Sequence, residues 1–577
     1  MLPIMKFEVF TFLFIFVKLN IAQILPYPEV TIEQGTIRGT YEKTLIGGRR
    51  YASFDGIPYA QPPVGKLRFK EPQAPLPWVG VYQATQIASP CLQFSHVTYT
   101  IEGDEDCLFL NVYTPLIPVN KEMSPLLDVV VYIHGGAFMF NQGSSSRPGF
   151  LLDRDIILVT INYRLGPLGF LSTGDDIIPG NNGLKDQSAA LRWIQKNIAA
   201  FGGNPDSVTL TGLSAGGASV HYHYMSPLSQ GLFNKGISFS GTALCPWTQM
   251  ERGREKAFQI GKKLGCNLHN STSLLNCLIN RPARHIVSQV KDFMGWLYNP
   301  FSPFGPTVET GGKTPFITQD PYEILTSGNF QQIPWVTSVT SEEGLYPAAE
   351  FLNSKNLEEI DSNYYNIIPH ILDFNLTVKP ELKYKVSKTI KGYYLNNRNV
   401  SQDTTQFVQM ISDRLFVSCG EEAAKIHAKK SQSQVYFYYF NFRGTRSLSN
   451  LFSKSNEDFG VSHGDDVFYF LSKLSNWVPK TESEKDMIQR FLDFITSYAK
   501  SGVPMFKPDF DFLTVKGGLP KLNYIKIRSP YDFSQEQAID LGNSNFWFSL
   551  PFQEEVNIAK RGSSKETNKQ DKKLVCY

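Results

Sequence analysis

The run Gly212-Leu213-Ser214-Ala215-Gly216 constrains this chain more than any other stretch. It lies between residues 207–211, whose β-branched content reads as a short buried strand, and a helix expected from Gly217 to the Ser226-Pro227 break. A strand that turns at once into a helix crowds its apex residue and lifts that side chain clear of the sheet. Flanking glycines let the two backbones approach. The first turn of the helix has amide N–H groups with no intrahelical acceptor, available to a developing negative charge. Ser214 therefore reads as an exposed, activatable nucleophile. Taken alone, five such residues also fit an ordinary Gly/Ser turn, so the rest of the chain has to decide.

Residues 128–133 form a second buried strand that runs into His134-Gly135-Gly136-Ala137-Phe138, and 156–162 form a third. Residues 186–200 read as a helix with Leu191, Ile194 and Ile198 on one face. Further strands are expected at 236–241, at 334–340 and at the aromatic run 435–440. Earlier, 29–41 alternates and turns through Gly35 and Gly39 as edge hairpins do. Three prolines in 51–69 forbid a helix there, and 105–115 reads as a strand. Thr481 and Glu484 can cap a helix whose face is Met487, Ile488, Phe491, Ile495 and Tyr498, ended by Gly502 and Pro504. Alternating strands and helices predict an α/β fold. Its large, mostly parallel central sheet is covered by helices on both faces, with helical insertions such as 345–430 above it.

The chain has 577 residues, 42% hydrophobic and 19% charged, as a packed globular protein does. Residues 560–577 hold six Lys/Arg against two Asp/Glu, a net +4, so the rest of this +3 chain stands at −1. Such a balance does not suggest a nucleic-acid surface. Residues 557–577 are expected to be a solvated basic tail. Residues 1–22 place Lys6 before an apolar run at 9–17, in outline an export signal, and that run is too short to span a bilayer. No later segment is apolar enough to cross a membrane, and the polar C-terminus carries no lipid-anchor signal. Residues 23–556 are thus expected to be the working domain of a secreted protein. Seven cysteines leave at least one unpaired or shared between chains, and Cys576 makes a dimer the alternative to a monomer. Cys91 and Cys107, and Cys266 and Cys277, are close pairs. Sequons at Asn270, Asn375 and Asn399 agree with export.

Acyl transfer needs a nucleophile, a base, an acid that orients the base, and donors for an oxyanion. In α/β-hydrolases the chain order is serine, acid, histidine. Ser214, then Glu342 or Glu343 after the strand at 334–340, then His463 between Gly460 and Gly464, offer that order. Spacing alone does not choose between the two glutamates. Amides of Gly135 and Gly136, with that of Ala215, can form the oxyanion hole. Asp465 and Asp466 lie too close in sequence to His463 and read as loop or capping groups. His221 and His223, two apart, do not share a helix face and read as packing or surface residues. His134 more simply shapes its turn. An aromatic group, Phe293, Trp296, Tyr298, Phe301 and Phe304, is either core or the wall of an apolar acyl pocket. No metal or organic cofactor is required.

These residues resemble the type-B carboxylesterase and cholinesterase family. The likeness rests on Phe54-x-Gly-Ile-Pro-Tyr-Ala-x-Pro-Pro-Val-Gly-x-x-Arg-Phe69, Glu105-Asp-Cys-Leu-x-Leu-Asn-Val-Tyr-Thr-Pro115, and His134-Gly-Gly-Ala-Phe138. Phe201-Gly-Gly-Asn-Pro205 ahead of the serine motif, and Gly460-Val-x-His463, complete it, in order and over nearly the whole chain. Within the family the chain looks most like insect carboxylesterases. The resemblance implies an α/β-hydrolase fold and hydrolysis of a small apolar carboxylic ester through an acyl-enzyme. It selects Glu343 as the acid and implies bridges Cys91–Cys107 and Cys266–Cys277 and ion pairs Arg68–Glu105 and Arg164–Asp186. A third family bridge is not expected at Cys419, because Ser544 and Asn545 stand where its partner should be. Leu213 replaces the usual glutamate, and the Cys91–Cys107 loop has no Trp, so choline esters are poor candidates. The rival expectations are a juvenile-hormone esterase and a non-catalytic ester-binding protein of the same fold.

Overall fold

The computed structural model describes residues 27–118, 125–352, 355–473 and 478–554. The expected export signal at 1–22, the basic tail from 557 and Cys576 lie outside the described residues.

Eleven strands build the main sheet. They are β1 (Thr40–Lys43), β2 (Arg50–Pro58), β3 (Phe109–Thr114), β4 (Leu127–Ile133), β5 (Ile157–Ile161) and β6 (Gly203–Leu213). β7 (Lys235–Phe239), β8 (Trp335–Thr340), β9 (Val435–Phe440), β10 (Leu522–Ile527) and β11 (Phe533–Ala538) complete them. Across the sheet the order is β11-β10-β9-β8-β7-β6-β4-β5-β3-β2-β1. The run from β10 to β5 is parallel, and only the flanking strands pair antiparallel. A parallel run brings the carboxyl ends of its strands to one edge, where open α/β sheets bind ligands.

Both faces are covered, so the inner strands are buried along most of their length. Alternate residues of β4 go to opposite cores. Val129, Val131 and Ile133 join the core of helices α1 (Asn182–Asn197) and α2 (Ala215–Met225), while Val130 and Tyr132 face the other core. Helices α3 (Leu345–Leu352) and α4 (Leu448–Ser453) lie in the connections after β8 and β9, ahead of α5 (Glu482–Ser501). The apolar face of α5, Met487, Ile488, Phe491, Ile495 and Tyr498, is fully buried in that second core. Each such side chain contributes about 1.5–3 kcal/mol by leaving water. Its ends are those the sequence predicts: Thr481 Oγ1 accepts from Glu484 N at 3.2 Å, Glu484 Oε2 accepts from Thr481 N at 3.0 Å, and Gly502 turns left-handed at φ 76°.

Some boundaries move for local reasons. β3 starts at Phe109, not at 105, because Glu105 turns aside to take the Arg68 guanidinium on both oxygens at 2.6 Å. The Arg164–Asp186 pair is formed and buried, at 2.7 Å. α1 begins at Asn182 and α2 at Ala215, each ahead of its expected start. Asn270 and Asn399 are exposed, and half-buried Asn375 accepts from Lys383 Nζ at 2.7 Å.

Among the described residues there are three disulfides, Cys91–Cys107, Cys266–Cys277 and Cys245–Cys419. The third corrects the expectation for Cys419, whose partner lies not beside residue 546 but in the segment that follows β7. It ties that segment to the helix at Ser418–Lys430, across 174 residues of sequence. Closing a loop of that length restricts the unfolded chain. Cys419→Ser is therefore expected to cost about 2–4 kcal/mol, read as a lower thermal midpoint in the absence of reductant. An unchanged midpoint would mean that this bridge contributes nothing.

Candidate active site

β6 ends at Leu213 and α2 begins at Ala215, so Ser214 alone makes the turn. Its backbone sits at φ 60°, ψ −121°, a conformation that costs a non-glycine residue about 1–3 kcal/mol. The Ser214 N–H donates to Phe239 O at 2.8 Å, which pins the turn to β7. Residue 216 must be glycine, since a Cβ there would lie 2.1 Å from the Ile133 carbonyl oxygen.

Register places the glycine pair beside the serine. Gly212 on β6 is level with Ile133, the last residue of β4, so the chain leaving β4 passes the turn. A Cβ on Gly135 would stand 3.1 Å from Ser214 Cβ. No loop carbonyl or side chain among the described residues accepts from the N–H groups of Gly135, Gly136 or Ala215. These are the three amides the sequence singles out.

Glu343 follows the end of β8 by three residues and is fully buried. One oxygen accepts from Ser240 Oγ at 2.6 Å and Thr340 N at 2.7 Å, and the other lies 2.5 Å from His463 Nδ1. Occupation of Nδ1 fixes the tautomer. His463 Nε2 is buried with no hydrogen-bond partner among the described residues.

The neighbouring Glu342 has a different task. Its Oε2 accepts from Val461 N at 2.7 Å and Ser341 Oγ at 2.6 Å, its own N–H donates to Val461 O at 3.1 Å, and it bridges to Ser462. It holds the backbone of the loop whose imidazole meets Glu343. Asp465 accepts from the N–H of Ser462 and of Leu448, both at 2.8 Å, and Asp466 accepts from Tyr438 OH at 2.7 Å. Burial pushes these two carboxyls up, to about 7 and about 6. Both act as loop ties, as their position suggests.

Ser214, Gly135, Gly136 and His463 line one cavity of about 580 Å³. Phe140, Leu213, Tyr346, Phe452 and Phe468 give it an apolar wall, and residues 446–452 supply one side. The aromatic group at 293–304 is not part of that wall. Tyr298, Phe301 and Phe304 are buried in the core, with Phe301 packed behind Tyr346 at 5.2 Å. Of the two expectations for that group, core packing is the one the structure shows for Tyr298, Phe301 and Phe304. Ser240, Tyr346 and Arg446 were missed by the sequence reading. Ser240 could have been found in the Phe239-Ser240-Gly241 turn at the end of β7, whereas the other two carry no local signal.

The other histidines singled out by the sequence, His221, His223 and His134, are structural. His223 pairs with Ser229 Oγ at 2.6 Å and Gln187 Oε1 at 2.9 Å, and His221 stacks on Trp335 with its Nδ1 accepting from Ala243 N at 3.2 Å. His134 stacks on Tyr163 and contacts Gly135 O at 2.7 Å. Among the described residues no cluster of His, Cys, Asp and Glu could hold a metal ion, and no helix is long and apolar enough to cross a membrane.

A model of the carboxylesterase family matches residues 26–543. Venom carboxylesterase-6 of Apis mellifera is 44% identical, over 91% of this chain and 95% of that protein. Esterase FE4 of Myzus persicae is 41% identical, over 92% and 94%. The crystal structure of juvenile hormone esterase from Manduca sexta, with OTFP covalently attached, superposes with a TM-score of 0.79 at 27% identity, covering 91% of this chain and 99% of that one. The sheet is that of an α/β-hydrolase, and the chain belongs to the carboxylesterase family.

Proposed function

From that membership we propose that the protein hydrolyses carboxylic esters, with Ser214 as nucleophile, His463 as base and Glu343 as the acid that orients it. One observation carries the reading. A buried carboxylate occupies His463 Nδ1, while Nε2 is left without a protein partner beside a cavity that Ser214 also lines. Nε2 takes the hydroxyl proton as Oγ attacks the ester carbonyl carbon. The carbonyl oxygen gains negative charge, and the amides of Gly135, Gly136 and Ala215 are the donors for it. Collapse expels the alcohol, which receives the proton from Nε2, and leaves an acyl group on Ser214. Water then attacks the acyl carbonyl carbon as it gives a proton to the same nitrogen, and collapse breaks the bond to Oγ, which takes that proton back as the acid leaves.

The substrate is a small ester with an apolar body, as the cavity wall suggests. Secretion rests on the leader at 1–22 together with the name of the venom relative. A dedicated juvenile-hormone esterase is the second reading, favoured by the superposition on that enzyme; turnover of juvenile hormone relative to 4-nitrophenyl esters separates the two.

The direct test is chemical. Diethyl 4-nitrophenyl phosphate should leave one diethylphosphoryl group on Ser214, located by peptide mass spectrometry, with ester turnover falling in proportion. Labelling elsewhere, or full turnover after stoichiometric labelling, would reject Ser214 as the nucleophile.

A further inference from the structure

We propose that Arg446 selects esters whose far end carries a carboxylate; this rests on the hydrolytic reading above. The cavity is otherwise almost devoid of charge. Among the described residues that line it, Arg446 and His463 are the only ones that can be cationic, and none is Asp or Glu. Arg446 is half-buried. It forms no ion pair and no hydrogen bond with any described residue. A guanidinium carries five donors in a planar fork, and a partly buried one left without an acceptor is unusual.

Its neighbour shows the ordinary outcome. Arg443 donates to Asp458 at 3.1 Å, to Asn450 Oδ1 at 3.1 Å and to Gly444 O at 2.6 Å. Arg443 thus has three protein acceptors, whereas Arg446 lines the cavity.

The backbone that presents Arg446 is held on both sides. Before it, Thr445 N and Oγ1 donate to Glu484 Oε1 at 2.8 and 2.7 Å. After it, Ser447 N donates to Asn450 Oδ1 at 3.0 Å and Leu448 N to Asp465 Oδ1 at 2.8 Å. Such anchoring lowers the cost of ordering the side chain around a ligand. A carboxylate fits the fork in bidentate fashion, and the lower local dielectric of a half-buried site strengthens the attraction beyond its value in open water. The apolar wall of Phe140, Tyr346, Phe452 and Phe468 suits the body of the same molecule.

The test compares matched esters. 4-Nitrophenyl hexanoate is set against mono-4-nitrophenyl adipate, and the octanoate against the suberate, for a carboxylate on the acyl side. The acetates of 4-propylphenol and of 3-(4-hydroxyphenyl)propanoic acid do the same on the alcohol side. The readout is the anionic-to-neutral ratio of kcat/KM for the full-length enzyme, Arg446→Gln and Arg446→Lys. In at least one pair the ratio should fall about tenfold or more in Arg446→Gln, equivalent to about 1.4 kcal/mol, mainly through KM. Lysine should restore part of it, and salt should shrink the wild-type ratio because the site is partly solvated. An unchanged ratio in every pair, or a wild-type ratio indifferent to salt, overturns the role of Arg446 while leaving hydrolysis intact. If wild type turns over no ester and takes no phosphoryl adduct on Ser214, the hydrolytic reading fails first and this one with it.

Discussion

Ser214→Ala should lower kcat for a simple carboxylic ester by about 10⁶-fold, the loss seen when a serine hydrolase is deprived of its nucleophile. No other hydroxyl can take over. The turn is a single residue long, and its position is set by the Phe239 carbonyl and by the close approach of Gly135 and Gly216. Residual rate should come from the amides of Gly135, Gly136 and Ala215, which remain after the substitution. The fold should survive, since alanine adds no atom and Ser214 Oγ makes no hydrogen bond with a described residue. Steady-state kinetics beside a thermal melt measures both. Retention of more than a hundredth of wild-type turnover by a well-folded variant would put the nucleophile elsewhere.

Glu343→Gln should cost about 10⁴ in kcat, as the acid-to-amide change does in other serine hydrolases, whereas Glu342→Gln should cost far less. The two residues are adjacent, but their surroundings differ. Glu343 receives three donors, from Ser240, Thr340 and His463. An amide nitrogen at either oxygen position would face one of them. Turned toward His463 it would force the ring proton onto Nε2, where it blocks acceptance from the serine. Glu342 uses Oε2 to accept from Val461 and Ser341, and an amide oxygen can occupy that place. Its loss should appear as a modest drop in kcat and a lower melting point. Equal losses in the two variants would contradict this division of labour.

The serine turn was legible in the sequence because crowding admits so few residues: glycine where two backbones touch and serine at the apex. The parallel sheet was legible because strands buried on both faces read as near-continuous apolar runs, as in β4 and β5. Which glutamate faces the ring was not legible from spacing. It depends on a backbone bridge between Glu342 and Ser462, 120 residues apart in sequence, which turns one side chain to the loop and the next to the imidazole. The resemblance pointed to Glu343, and the contact of that residue with His463 is consistent with it. Cys245–Cys419 had no spacing to betray it. Aromatic residues at 293–304 could serve as core or wall, and only packing behind Tyr346 decides between them.

The bridge at Glu342 has a wider consequence. It joins the chain just past the end of β8 to the segment that returns after the excursion at 441–460, so the imidazole is anchored beside the carboxyl end of β8. That excursion carries Arg446 and the wall residues Leu448, Leu451 and Phe452. The imidazole and much of the cavity wall are thus carried by different segments, joined through Asp465, which accepts from both Leu448 N and Ser462 N. Tyr346 stacks on the His463 ring and packs on Phe452, so a change at Arg446 or Leu451 is a gentler route to a new substrate than a change at Tyr346 or Phe452.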